Sequence, residues 1–252
     1  MLEVEGLNKA FGGLRAISDL SFRTFRGEIL GVIGPNGSGK TTLFNLITGV
    51  FPATSGSVRF RGIAMNGLQT DAIARLGLVR TFQSATVFRQ ESVYENIRRG
   101  SIFGCIGNPA WFFRKGLVSA GAKKARVTTE DLLEFSGLAD VAGTSAGNLP
   151  YGKQKMLGVI IALAQHPCQL LMDEPAAGLN PSETEAMGEL IAQIRSKRGV
   201  DVILVEHDIR MVTSVCDRIL ALNYGKMIAV DEPAKIVAHP EVIEAYLGAD
   251  IE

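Results

Sequence analysis

Hydrophobic and polar positions change rhythm along the chain, and each change predicts an element. Residues 2–7 and 17–25 hold short alternating segments, with Leu20 and Phe22 two positions apart, the period of half-buried or edge strands. Phe11-Gly12-Gly13-Leu14-Arg15-Ala16 reads as the turn between them. An unbroken apolar run at 29–33 predicts a buried strand, and 43–47 is compatible with a helix. Residues 56–62 read as a short strand closed by glycines, 71–76 as a short helix, and 78–82 as an extended piece ending at Gln83. From there to about residue 165 the pattern is mainly helical, with candidates at 93–99, 129–135 and 153–164. A strand at 169–172, a helix at 182–197 and a strand at 202–205 then return the chain to a parallel sheet. The tail predicts a hairpin, 218–222 and 227–230, turned by Asn223-Tyr224-Gly225-Lys226. Two short helices follow, starting near Pro233 and Pro240, where proline suits a first turn. Strands alternating with helices make the expected class α/β.

Between the strand at 29–33 and the helix at 43–47 lies Gly34-Pro35-Asn36-Gly37-Ser38-Gly39-Lys40-Thr41-Thr42. Its spacing is that of a phosphate-binding loop, G-x-x-x-x-G-K-[ST]. Glycines let successive amides turn toward phosphate oxygens, with a helix N-terminus behind them. Asn36, Gly37, Ser38, Gly39, Lys40, Thr41 and Thr42 are therefore candidate nucleotide-binding residues, Lys40 for the β- and γ-phosphates and Thr41 for Mg²⁺.

Composition narrows the setting. With 26 basic and 26 acidic residues the net charge is zero, so no global charge points to nucleic acid. Cys105, Cys168 and Cys216 form neither a paired framework nor a metal spacing, which fits a reduced cytosolic compartment. The first residues lack the basic-then-apolar pattern of a signal segment. Apolar stretches such as 156–164 fall far short of the roughly 20 residues that span a bilayer.

A second candidate site is Leu170-Leu171-Met172-Asp173-Glu174-Pro175, an apolar strand delivering two acids at its C-terminal end. Ligands collect at the carboxyl ends of parallel strands, so both acids are expected to face the phosphate loop. Asp173 suits Mg²⁺, directly or through water, and Glu174 suits a water attacking the γ-phosphate.

With these residues in order the sequence resembles the ATP-binding cassette (ABC) ATPases over nearly its whole length. Gln83 stands where that family has its Q-loop glutamine, which implies contact with Mg²⁺ and water. Leu149-Pro150-Tyr151-Gly152-Lys153-Gln154 stands at the family signature, Ala177-Gly178-Leu179-Asn180 at the D-loop, His207 at the switch histidine and Phe11 at the aromatic that stacks on adenine. The resemblance implies a P-loop ATPase core with an N-terminal antiparallel β-subdomain. It implies a helical subdomain at about 84–165, inserted in the core, and a C-terminal hairpin with short helices at about 218–252. It also implies ATP and Mg²⁺, hydrolysis by Glu174, His207 and Gln83, and metal contacts from Thr41, Gln83 and Asp173. Two cassettes would sandwich ATP between one chain's phosphate loop and the other's Tyr151, Gly152, Lys153 and Asn180.

Phe11–Ala16, Ala176–Pro181 and Val242–Gly248 further resemble the ATPases of branched-chain amino-acid importers, as does the long segment between 100 and 129. That implies transmembrane permease subunits, a second ATPase subunit (a different chain, or a second copy of this one as a homodimer) and, indirectly, a periplasmic solute-binding protein. The expected location is the cytoplasmic face of the inner membrane. Importers for urea, amides or other amino acids, the lipopolysaccharide-transport ATPase and soluble non-transport cassettes are the alternatives. Pro150 departs from the family pattern: it replaces a serine and offers neither hydroxyl nor amide hydrogen. Residues 98–126 carry Arg98, Arg99, Arg114, Lys115, Lys123, Lys124 and Arg126 without an acid, interleaved with Ile102, Phe103, Trp111, Phe112 and Phe113. Two readings fit that stretch: a surface near anionic lipid or the permease, and a solvated irregular excursion packing on the helical subdomain.

Overall fold

The structure is a computed structural model that describes residues 1–81, 87–105 and 115–247. Ten strands are found among these residues: β1 (Leu2–Phe11), β2 (Leu14–Arg23), β3 (Ile29–Ile33), β4 (Ser55–Phe60), β5 (Ile63–Ala64), β6 (Leu78–Arg80), β7 (Gln169–Asp173), β8 (Asp201–Val205), β9 (Arg218–Asn223) and β10 (Lys226–Asp231). Helices are α1 (Lys40–Ile47), α2 (Thr70–Arg75), α3 (Val93–Cys105), α4 (Lys115–Ser136), α5 (Tyr151–Leu163), α6 (Pro181–Arg198), α7 (Ile209–Val215), α8 (Pro233–Val237) and α9 (Pro240–Leu247).

The strands make two sheets, a four-stranded antiparallel one in the order β2-β1-β4-β5 and a six-stranded one in the order β10-β9-β3-β8-β7-β6. In the larger sheet β3, β6, β7, β8 and β9 run parallel and only β10 is antiparallel. All residues of β3, β7 and β8 are buried, because both faces of this sheet are covered. Alternate side chains divide between two cores. Ile29, Ile33, Leu170, Met172, Val202 and Leu204 join α5 and α6 on one face. Leu30, Val32, Leu171, Ile203 and Val205 join α1 and the antiparallel sheet on the other.

Three sequence expectations change. β1 and β2 are ten residues each and run to a tight turn at Gly12 and Gly13, so Phe11, Leu14, Arg15 and Ala16 are strand residues. α4 is a 22-residue helix, so residues 115–126 are not an irregular excursion. The basic stretch is also partly neutralised by acids just upstream: Arg98 pairs with Glu95 at 2.8 Å, and Arg99 pairs with Glu91. Phe103, Trp111, Phe112, Phe113 and Arg114 lie outside the described side chains. No helix among the described residues is long and apolar enough to cross a membrane.

Candidate nucleotide site

Three neighbouring strands end side by side. β8 lies between β3 and β7, and Asp173 is in register with Val205. The phosphate loop follows β3, Glu174 follows β7, and Glu206 and His207 follow β8, which brings these groups together at the carboxyl edge of the parallel sheet.

Gly39 is the N-cap of α1 at φ 106°, and no side chain caps the helix. The first amides of α1 are therefore available to an anion. The Lys40 ammonium bends back to donate to Gly34 O at 2.6 Å and Pro35 O at 3.0 Å. Burial pushes its pKa down, against the opposing pull of Glu174 and Asp173. Ser38 Oγ is buried without a hydrogen-bond partner. A cleft of about 360 Å³ opens over the loop, walled by Phe11, residues 36–42, Glu174, His207 and Tyr224. Phe11 is 42% exposed, and its ring meets Phe51 edge-on at 5.5 Å. The Lys9 ammonium stands over the Phe11 ring, 4.7 Å from its centroid.

Glu174 has a left-handed backbone, φ 50°, which is costly for a residue with a Cβ and is held by its surroundings. Its amide donates to Val205 O at 2.9 Å, and its carbonyl accepts from Lys155 Nζ at 3.2 Å. Its Oε1 is 2.9 Å from His207 Nε2. Behind them the buried Glu206 accepts from the amides of Ala176 (2.6 Å) and His207 (3.1 Å). Burial raises the Glu206 pKa, and those two amide bonds oppose the rise. Asp173 points to the same edge, with its Oδ2 bound to Arg80 at 2.6 Å in a buried ion pair. Arg80 also donates to Asn45 Oδ1 at 2.6 Å, so it ties α1 to the acid.

The signature stretch stands elsewhere. Pro150 is the N-cap of α5 and offers no capping side chain. Tyr151 Oη donates to Ala177 O at 3.4 Å, and Gly152 lies so close to Glu183 that a Cβ there would stand 2.5 Å from its carboxylate. Asn180 closes a reciprocal capping box with Glu183 at the start of α6. Tyr151, Gly152, Lys153 and Asn180 thus line no part of the loop cleft within one chain.

Residues 17–177 match the family described as ABC transporter. The chain belongs to the ABC transporter family. Residues 226–252 match a further family, described as Branched-chain amino acid ATP-binding cassette transporter. The high-affinity branched-chain amino acid transport ATP-binding protein LivG of Salmonella typhimurium is 40% identical over 256 residues, covering 98% of each chain. BraF of Pseudomonas aeruginosa, described in the same words, is 39% identical with the same coverage. Among solved structures, the ADP conformation of MJ1267, an ATP-binding cassette of an ABC transporter, superposes with a TM-score of 0.84 at 30% identity over 98% of both chains. A nucleotide-free ATP-binding cassette from an ABC transporter gives 0.82 over the same share. This chain is an ABC ATPase with the α/β cassette fold, and it binds nucleotide.

The cassette's own residues fit a nucleoside triphosphate. The uncapped start of α1, the buried and unpartnered Ser38 hydroxyl and the Lys40 ammonium all converge on the loop, and an aromatic stands at the cleft mouth. No group of three His, Cys, Asp or Glu side chains among the described residues is arranged to hold a metal. The sequence singled out the loop, Asp173, Glu174, His207 and Phe11, and the structure brings them around one cleft and the sheet edge beside it; Gln83 lies outside the described residues. It missed Arg80, Lys155, Glu206 and Tyr224. Arg80 and Glu206 are charges at the ends of apolar runs, a signal visible in the sequence; Lys155 follows Lys153 and Gln154, Tyr224 sits in a turn, and neither stood out.

Proposed function

We propose that this cassette hydrolyses ATP to power an importer of branched-chain amino acids, working as one of two ATPase subunits beneath a pair of transmembrane permease subunits. The observation that carries the site reading is the Glu174–His207 pair, 2.9 Å apart, opening onto the same cleft as Lys40. The C-terminal match at 226–252 and the names of LivG and BraF support the solute class.

In this reading the phosphate loop, from Asn36 to Thr42, binds the phosphates, and Phe11 stacks on the base. Thr41, Asp173 and Gln83 would hold Mg²⁺, which would supply charge neutralisation at the phosphates. Glu174 takes a proton from the water that attacks the γ-phosphorus, and the bond to the bridging oxygen breaks to release ADP. His207 orients Glu174. The partner ATPase presents its signature helix to this chain's γ-phosphate, and this chain presents Tyr151, Gly152, Lys153 and Asn180 to the partner's. Residues of about 84–165 form the helical subdomain that meets the permease, and about 218–252 form the C-terminal hairpin and helices. The chain sits on the cytoplasmic face of the inner membrane through the permease, and a periplasmic binding protein delivers the solute.

The test is uptake of labelled leucine in the source cells with the native chain, Lys40→Ala and Glu174→Gln. Both variants should abolish uptake, with valine and isoleucine competing in the native case. Purified Glu174→Gln should keep ATP bound while turnover falls at least about 100-fold. Native turnover in that variant would remove Glu174 from its role, and leucine uptake indifferent to Lys40→Ala would reassign the solute.

A further inference from the structure

The last described helix reaches back to the beginning of the phosphate loop. The Gly34 amide donates to Tyr246 Oη at 2.9 Å across 212 positions of sequence. Tyr246 lies on α9 and packs against the same apolar core as β3 and α5. It belongs to the C-terminal stretch, 226–252, that matches the branched-chain family. Burial raises the phenol pKa, so the ring is uncharged at neutral pH.

Gly34 is the turning point of the site. Its φ is 154°, and a Cβ there would stand 2.2 Å from Leu222 O and 2.5 Å from Ser38 Oγ, so the position must be glycine. Glycine also gives the backbone its greatest rotational freedom. On one side of this residue the carbonyl accepts from Lys40 Nζ. On the other the amide is held by Tyr246. The two bonds fix the peptide planes flanking a residue whose own side chain fixes nothing.

We propose that Tyr246 is a positioning residue for ATP binding: its hydroxyl holds the Gly34 amide and so presets the phosphate loop, making nucleotide affinity depend on the docking of α9. The proposal rests on the reading of that loop as the ATP site. A hydroxyl on a C-terminal helix thereby gives a segment remote in sequence a direct hold on the loop. Displacing α9 frees the Gly34 amide, and the loop must then be ordered at the expense of binding.

Tyr246→Phe in the full chain keeps the ring and removes the hydroxyl. ATP binding to the purified chain should weaken about fivefold, the effect of one ordinary hydrogen bond. Turnover of the assembled transporter at saturating ATP should stay within about twofold of native, so KM rises while kcat holds. Amide exchange across residues 33–40 should quicken in the nucleotide-free variant. A folded variant with native ATP affinity overturns the proposal, even if its melting temperature falls, because that pattern belongs to a purely structural contact. Lowered kcat with unchanged affinity overturns it as well. Failure of the native chain to bind ATP would show in the unmutated protein, and would remove the loop reading and the role of Tyr246 together.

Discussion

Glu206 is a residue whose charge serves the backbone. The residue is 3% exposed, and its carboxylate accepts from two amides that shape the turns after β7 and β8. Burial raises its pKa above the ordinary 4.5. The folded protein therefore holds that proton more tightly than the unfolded chain, and stability from this group falls as pH rises through the interval above 4.5. Glu206→Gln removes the titration. Urea melts between about pH 4.5 and 7 should give a flatter stability profile for Glu206→Gln than for the native chain. An equal slope would show that the group does not titrate differently on folding. Its neighbour His207 was legible in the sequence because it lies within a family motif. Glu206 was legible only as an acid ending an apolar strand, and nothing in the sequence shows which amides it meets.

At the scale of elements, α5 does more than present a signature. Lys155 lies on a helix otherwise buried through Gly152, Gln154, Leu157, Val159 and Ile160, and its ammonium reaches the carbonyl of Glu174. Burial lowers its pKa, with Glu206, Glu174 and Asp173 opposing. The helix thus helps hold the left-handed backbone that aims the Glu174 side chain. Lys155→Met keeps most of the volume and removes the bond. It should lower kcat by about tenfold, the cost of one charge-assisted hydrogen bond, with ATP affinity unchanged. Steady-state hydrolysis by the assembled transporter would expose the error if kcat did not move. Strands β3, β7 and β8 were readable because burial on both faces demands continuous apolar runs. The first half of α4 was not: Gly116, Ser119, Ala120, Gly121 and Ala122 show no helical period, while Ala125, Thr129, Leu132 and Leu133 supply a buried stripe only toward its end. The end of β1 was read as turn because Phe11 is followed by two glycines. Pairing with β2, from Ala10 opposite Arg15 to Phe11 opposite Leu14, keeps it extended.

For the molecule as a whole, the loop cleft and the signature helix occupy separate surfaces, which suits a site completed by a second cassette. Pro150 heads α5 without a hydroxyl; in the proposed pairing, this chain's half of the interface would lack one charge-assisted bond of roughly 1.5–3 kcal/mol. Pro150→Ser should raise ATP affinity or turnover of the assembled pair; no change, or a loss, in either assay would count against a missing contact. The sheet order also has a consequence in time. β3 pairs with β8 and β9, so about 170 residues separate it from its first partner strand. At ~5–20 residues per second, a ribosome takes roughly 10–30 s to make that stretch. The antiparallel sheet, whose strands all end by Ala64, can close early; the central strand that leads into the phosphate loop cannot. For those seconds the nascent chain carries an unpaired apolar strand, and so the segment that leads into the phosphate loop waits longest for its partner.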